Sequence, residues 1–322
     1  MKEIKVTKND SGQRIDRFLS KSFPLGQGQI CKLARKNCIK LNGKKCKPDT
    51  HIAENDIIKL FIPDEMLIPK AKSDPDDFTG VSDKIDIVYE DENILLVDKP
   101  VGMVVHEDES GDSDTLINRI KSYLYHKGEY HPENELSFAP ALCNRIDRNT
   151  CGIVIAAKNA ESLRILNQKI RDRELTKLYL CIACGKVTPD SATLTAYLEK
   201  NSDTNTVKIS DKKTKSNLTI KTKYKVIAYN GENSLLKVDL LTGRTHQIRA
   251  HLAYIGHALL GDGKYGNNKL NKKYSFKYQA LCSYELQFKF TTDAGCLSYL
   301  DGKCFKAKAP DFVKMFGSNI KL

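Results

Sequence analysis

Leu241-Thr242-Gly243-Arg244-Thr245-His246-Gln247-Ile248-Arg249-Ala250-His251 places a glycine, two arginines and two histidines between apolar flanks, where a plain core element would need none of them. The spacing predicts a short helix over residues 245–255 after a strand exit. If Thr245 caps it, His246 and Gln247 lie in its first turn and Arg249 one turn further on, a geometry that presents a cation to a carboxylate or phosphate. Gly256-His257 and Gly261-Asp262-Gly263-Lys264-Tyr265-Gly266 follow. His246, His251 and Asp262 suggest a metal site by residue type, but no H-E-x-x-H or comparable ligand spacing occurs, and no metal is expected.

Two upstream segments have the same mixed character. Asp98-Lys99-Pro100-Val101-Gly102-Met103-Val104-Val105-His106 is a strand exit shaped into a loop by Pro and Gly, without the spacing of a phosphate-binding loop. Asn144-Arg145-Ile146-Asp147-Arg148-Asn149-Thr150-Cys151-Gly152 sets one carboxylate between two arginines in a Gly-closed loop. Nearby cations would favour the ionised carboxylate; the alternative reading is a turn in which Asp147 caps backbone N–H groups.

Around these segments, apolar runs predict strands over 85–89, 94–97, 153–157, 175–183 and 280–290, and a hairpin over 223–241 about Asn230-Gly231. Helical spacing predicts helices over 115–127 and 160–171. The fold class is α+β, a mainly antiparallel mixed sheet with flanking helices.

The 322 residues argue for more than one domain. In residues 1–62, Ile15, Phe18 and Leu19, then Ile30, Leu33 and Ala34, repeat at helical spacing; strands flank Asn42-Gly43 and close over 57–62. Residues 63–84, with Pro63, Pro69, Pro75, Gly80 and an excess of acidic side chains, predict a mobile linker. The division expected is a small α/β domain over 1–62, an acidic linker over 63–84 and a large domain over 85–322.

The net charge of +12 makes a polyanion the first partner to consider, and its distribution supports that. Residues 1–62 carry 14 basic against 6 acidic side chains, 63–114 carry 4 against 16, and 115–322 carry 34 against 18, so two basic bodies flank an acidic stretch. Lys32, Arg35, Lys36, Lys40, Lys44, Lys45 and Lys47 cluster at one end of the small domain, where they suit an RNA backbone. With no Trp, base stacking falls to Tyr, Phe and Arg planes.

The sequence shows neither a membrane-length apolar run nor a secretory leader, so a cytoplasmic protein with reduced thiols is expected. Cys181 and Cys184 form a lone C-x-x-C inside a strand-like run, where odd spacing puts the thiols on opposite faces and argues against metal or redox use.

Taken in order, Lys99-Pro100-x-Gly102-x-x-x-His106, Arg145-Ile146-Asp147-x-x-Thr150-x-Gly152, Lys177-Leu178-Tyr179 and the long run from Gly243 to His251 with Gly261-Asp262-x-x-Tyr265-Gly266 resemble the RluA-type RNA pseudouridine synthases over about residues 85–290. Residues 12–62, through Gly12-Gln13-Arg14-Ile15-Asp16-Arg17-Phe18-Leu19 and Ile39-Lys40-Leu41-Asn42-Gly43, resemble the small RNA-binding domain shared by a small-subunit ribosomal protein and several RNA-modifying enzymes.

The resemblance implies isomerisation of uridine to pseudouridine: the glycosidic bond is cleaved, the base turns, and its carbon five joins the ribose, with no cofactor. Asp147 would be the catalytic carboxylate, attacking the anomeric carbon or taking the proton from the adjacent ribose carbon. Tyr179 would stack on uracil and remove the carbon-five proton, and Arg249 would pair with Asp147. Extruding the target base costs a few kcal/mol of stacking. Arg145 would fill the gap, while Lys99, His106, Arg244 and His246 would shape the cleft wall or meet phosphates. Large-subunit ribosomal RNA is the implied substrate, with transfer RNA also open. Asn144 and Cys151 depart from the family's usual His and Ser. A non-catalytic RNA-binding or ribosome-assembly factor is the runner-up reading, and a metal-dependent RNA hydrolase a third.

Overall fold

The computed structural model describes residues 1–68, 78, 80–107, 113–201, 204–317 and 320–322. Two sheets organise them. The first has order β1-β4-β2-β3, formed by β1 (Lys2–Lys5), β2 (Ile39–Leu41), β3 (Lys44–Lys45) and β4 (Ile57–Leu60). Helices α1 (Ile15–Ser22) and α2 (Gln27–Arg35) cover it, and Ile15, Phe18, Leu19, Ile30 and Ala34 are buried in its core as their spacing predicts. Asn42 and Gly43 both take positive φ, the two-residue turn their sequence predicts, and bring Leu41 opposite Lys44. The added strand β1, paired with β4, was not legible: its four residues alternate Lys and Glu with a single buried Ile4.

The second sheet has eleven strands. Its path runs β11-β10-β12-β13-β9-β14-β8-β6-β5, with β7 on β8 and β15 on β14. In chain order these are β5 (Ile87–Glu90), β6 (Ile94–Lys99), β7 (Ala141–Leu142), β8 (Cys151–Ala157), β9 (Leu175–Cys184), β10 (Ser191–Asn201), β11 (Thr206–Ser210), β12 (Leu218–Tyr229), β13 (Asn233–Asp239), β14 (Leu281–Phe288) and β15 (Cys304–Lys306). Strands β7, β10, β11 and β15 add to those predicted. Among the described strands every pairing is antiparallel except β14 with β8, which touch only at Cys282–Cys151 and Ser283–Gly152. Beyond that contact the two strands part, and the Asp147 loop enters the sheet there.

Helices α3 (Leu116–His126) and α4 (Ala160–Arg171) match their predictions closely. Thr115 and Asn159 cap them, each accepting from the backbone N–H three residues on. Apolar clusters cover both faces of the sheet, one around Leu95, Val97, Leu116 and Val154 and the other around Ile94, Leu96, Ile155 and Leu166. Cys181 and Cys184 fall in different clusters, on opposite sides of β9.

Of the predicted linker 63–84, residues 69–77 and 79 lie outside the described residues. The rest depart from a mobile segment: Asp64–Leu67 forms a 3₁₀ turn with Leu67 buried in the small domain's core, and Phe78 is fully buried in the large one. Polar contacts join the two bodies. Asn9 Nδ2 donates to Glu135 (2.6 Å), Gln13 Nε2 to Ser137 (2.8 Å), and the Ser137 hydroxyl to buried Asp10 (2.6 Å).

The β8–β14 contact depends on Gly152. A Cβ there would stand 2.2 Å from the carbonyl oxygen of Ser283, and φ is +106°. Gly152→Ala should therefore cost about 3 kcal/mol or more, by strain and forced separation of two backbones, with the loss visible as a lower urea midpoint for the large domain. An unchanged midpoint would contradict this account.

Candidate active site

The site begins with a backbone distortion. Helix α5 (Gln247–Tyr254) is preceded by His246 in the left-handed conformation, φ +51°, with no side-chain cap. Thr245 is thus not the cap its position predicts. Instead the Gln247 side chain reaches back: its Oε1 accepts from Thr242 Oγ1 (2.8 Å) and Arg244 N (3.2 Å), and its Nε2 donates to Thr222 Oγ1 (3.0 Å). This fixes the helix start and aims Arg249 at the centre of the sheet.

Arg249 meets two carboxylates there. Its Nη1 donates to Asp147 Oδ2 at 2.7 Å, while Nε and Nη2 donate to Asp262 Oδ2 and Oδ1 at 2.7 and 3.0 Å. Burial works against the guanidinium charge, but the two acids more than offset it and hold its pKa above the ordinary value. Asp262 has no exposure, and Oδ1 also accepts the N–H groups of Lys264 (2.8 Å) and Tyr265 (3.0 Å). Desolvation would raise its pKa; the Arg249 bonds and charge outweigh that and lower it. A guanidinium whose three nitrogens each donate to a carboxylate is the arrangement that makes a buried ion pair tolerable.

Asp147 itself is about a quarter exposed, and its Oδ1 carries no hydrogen bond among the described residues. The flanking arginines do not pair with it as the sequence suggested: Arg145 is exposed, and Arg148 Nε donates to the carbonyl of Gly102 (3.0 Å). The cation is Arg249, 102 residues downstream, the pairing that the family resemblance implies.

His246 and Tyr265 complete this side. Tyr265 Oη accepts from Val207 N (2.8 Å) and shares a hydrogen bond with His246 Nδ1 (3.0 Å), which leaves His246 Nε2 3.9 Å from Asp147 Oδ2. Burial, helped by Arg249 and Lys264 and only partly opposed by Asp147, keeps the His246 pKa below the usual value. The Arg249 guanidinium also stacks over the Tyr265 ring, 5.3 Å from its centre.

Tyr179 lies on β9, opposite Ser283 of β14. Burial pushes its phenol up to about 12. It is 5% exposed, at the wall of the cleft that Asp147 also lines.

Lys99 departs from the expected contact with phosphate. It is fully buried, and its ammonium donates to the carbonyls of Pro100 (2.8 Å), Met103 (2.9 Å) and Arg148 (2.9 Å). Desolvation drives its pKa down to about 8. Its work is to tie the 100–103 loop to the Asp147 loop, which shapes the cleft wall. Asn144 is equally structural, since its Oδ1 accepts Ile155 N (2.8 Å) and anchors the loop to β8.

Asp147, Tyr179 and Arg249 line one cleft of about 970 Å³, with His106, Arg145, Arg244 and His246 around them. The six residues of the basic cluster named for the small domain, Lys32, Arg35, Lys36, Lys44, Lys45 and Lys47, are exposed, while Lys40 is half-buried with its ammonium 5.3 Å from the centre of the Phe61 ring; none lines the cleft. The acids and imidazoles considered for a metal are otherwise engaged: Asp262 by Arg249, and buried His251 by Thr222, whose hydroxyl lies 3.0 Å from Nδ1. Among the described residues no three His, Cys, Asp or Glu side chains could share an ion.

A family model described as RNA pseudouridylate synthase matches residues 93–254, half of the chain and most of this cleft. The chain belongs to the RNA pseudouridine synthase family. It is 35% identical over 288 residues to an uncharacterized RNA pseudouridine synthase of Mycoplasma genitalium, covering 88% of each chain. To a protein of Borreliella burgdorferi named ribosomal large subunit pseudouridine synthase D it is 32% identical over 268 residues, 81% of this chain and 78% of the other. The solved structure of human RNA pseudouridylate synthase domain containing 1 has the same fold, with a TM-score of 0.54 at 22% identity over 71% of this chain and 84% of that one. The protein is accordingly an RNA pseudouridine synthase, an isomerase acting on uridine in RNA.

In this synthase the residues that sequence reasoning underrated are Asp262 and Tyr265. Both stand in the Gly-Asp-x-x-Tyr-Gly segment, where Asp262 was weighed only as a metal ligand; the signal available was a carboxylate in a Gly-bracketed turn downstream of an unpaired arginine. Asp262→Asn keeps the shape but removes the charge. Breaking this buried pair should cost about 3 kcal/mol or more of stability, and the misplaced Arg249 should lower kcat about 10–100-fold with KM little changed. Melting curves and steady-state kinetics on a substrate RNA check both.

His251 gives a pH signature. Burial holds its pKa down to about 4, against about 6.5 in the unfolded chain. Between those values the unfolded chain takes up a proton that the folded one refuses, so stability falls as pH drops from about 6.5 to 4, by up to about 3 kcal/mol. His251→Gln should flatten that part of the melting profile.

Proposed function

We propose that this synthase modifies uridine in large-subunit ribosomal RNA, that Asp147 is its catalytic carboxylate, and that Tyr179 and Arg249 complete the reacting centre. The observation that carries the reading is the division of labour on Asp147: Oδ2 is held by Arg249 while Oδ1 carries no bond in a cleft shared with Tyr179. A carboxylate so fixed is oriented without being neutralised by a second partner. Its free oxygen either forms a bond to the anomeric carbon as the C–N bond breaks, or takes the neighbouring ribose proton as the electron pair leaves with the base.

Uridine inside a helix cannot reach this carboxylate, so the target nucleotide is turned out into the cleft, with Arg145 at the rim taking its place in the stack. His106, Arg244 and His246 meet its flanking backbone. Residues 1–62 act as an RNA-binding domain, contributing affinity through Lys32, Arg35, Lys36, Lys40 and Lys44, joined by residues 63–84 to a catalytic domain over 85–322. Support for ribosomal RNA comes from the names of relatives, which include ribosomal large subunit pseudouridine synthases D and C of Borreliella burgdorferi and Vibrio vulnificus. The expected location is the cytoplasm.

Position-by-position pseudouridine mapping on RNA from cells with and without the protein tests this. Specific large-subunit positions should lose the modification and regain it with the wild-type gene but not with Asp147→Ala, whose purified protein should bind RNA within about threefold of wild type, since it removes no phosphate contact. Modification restored by Asp147→Ala would remove that residue from its role, and loss confined to transfer RNA would move the substrate.

A further inference from the structure

Breaking the bond between N1 and the anomeric carbon sends an electron pair onto the base. Whichever role Asp147 takes, the departing uracil is an anion with its charge shared among N1 and the two carbonyl oxygens, and it must turn before carbon five can reattach. Such an anion in a partly dehydrated cleft needs a cation or a set of donors beside it. Arg249 is already committed, because each of its three nitrogens donates to Asp147 or Asp262 and its charge faces two carboxylates. His246 is held neutral. Arg145, Arg148, Lys200, Arg244, Lys264 and Lys277 are exposed at the rim.

One cation of the cleft wall fits. Lys177 lines the same cleft as Asp147 and Tyr179. It is half-buried on β9, two residues before Tyr179, so the two side chains leave the same face of the strand about 7 Å apart. Its backbone is committed, with the carbonyl accepting Leu240 N (3.3 Å), but its ammonium has no acceptor among the described residues. Burial alone lowers its pKa, and no carboxylate acts on it. A lysine stem spans the distance from its own Cα to a ring stacked on Tyr179. A desolvated cation with no protein partner is costly, and this cleft offers a substrate that supplies the missing negative charge during the reaction.

We infer that Lys177 is a catalytic residue of this synthase: its ammonium donates to a carbonyl oxygen of the detached uracil, stabilising the anion from bond cleavage until carbon five is attached to the ribose. The ammonium keeps its own proton throughout. The electron pair that leaves with N1 forms the new carbon–carbon bond, and the proton that carbon five then loses is balanced by one taken up at N1, so the isomerisation is neutral overall. The inference rests on the uridine isomerisation established for the family and not on the role of Asp147.

Single-turnover kinetics and RNA binding on the full-length protein test it. Lys177→Met should lower the rate at saturating protein about 100-fold, in the range found when one donor to a developing anion is removed, while the RNA dissociation constant stays within about threefold. Lys177→Arg should retain more of the rate than Lys177→Met. Methylammonium should restore part of the rate of Lys177→Ala in a concentration-dependent way, and tetramethylammonium, which has no N–H, should not; a merely structural lysine would show no such difference. A rate within threefold of wild type for Lys177→Met overturns the inference. So does a loss confined to RNA affinity, which would place the ammonium on a phosphate, or an absence of amine rescue with Arg no better than Met. If Asp147→Ala keeps its rate while Lys177→Met loses it, the role of Asp147 falls and that of Lys177 stands.

Discussion

A guanidinium shut away from water between two carboxylates is the constraint around which this enzyme is built. Arg249 is 6% exposed, and an ion so placed is tolerated only if every donor finds an acceptor in good geometry. Asp262 takes two donors and Asp147 a third, and the three residues come from a helix start, a glycine-bracketed turn and a loop between strands. Those elements must be held within hydrogen-bond distance of one another, which limits how the large sheet can close. The result is directional: Asp262 fixes Arg249, Arg249 fixes one oxygen of Asp147, and the other oxygen carries no hydrogen bond among the described residues.

The loop that carries Asp147 is held from behind by backbone contacts. Buried Lys99 gathers three carbonyls from two loops, Asn144 pins the loop's start to β8, and Gly152 lets β8 approach β14 at its end. Lys99 and Gly152 do not line the cleft and Asn144 only borders it, yet each sets where the carboxylate stands. The pattern explains why a positively charged side chain in the first motif proved to be internal: in a loop that cannot form ladder hydrogen bonds, a lysine with three donors satisfies carbonyls that would otherwise be left bare.

Much of the scaffold was legible because its signals are local. The helices at Leu116–His126 and Ala160–Arg171 have apolar spacing and a Thr or Asn cap, and Asn42-Gly43 has a turn that only a few residue pairs adopt readily. The strands that escaped notice, Lys2–Lys5, Ala141–Leu142, Ser191–Asn201, Thr206–Ser210 and Cys304–Lys306, lie at or near the sheet edges or off the main path. Three of them are only two to four residues long, too short for a period to register, and in the longest, Ser191–Asn201, the inward positions include small alanines between polar neighbours. The start of α5 misled for a different reason: Thr245 is a good cap by type, but the left-handed turn at His246 and the side chain of Gln247 do the capping instead.

From the sequence alone came the α+β class and the resemblance to the pseudouridine synthases, carried by the order and spacing of four motifs, and it is that resemblance which named Asp147, Tyr179 and Arg249. Motifs carry that much because residue type and spacing are local quantities. Only the tertiary structure decided that Asp262 joins Arg249 and Asp147, that Lys99 is buried and that Lys177 is not spent on any acid. Those outcomes depend on contacts between residues 13 to 102 positions apart and on how much water each charge keeps, quantities that packing sets and that no local pattern encodes.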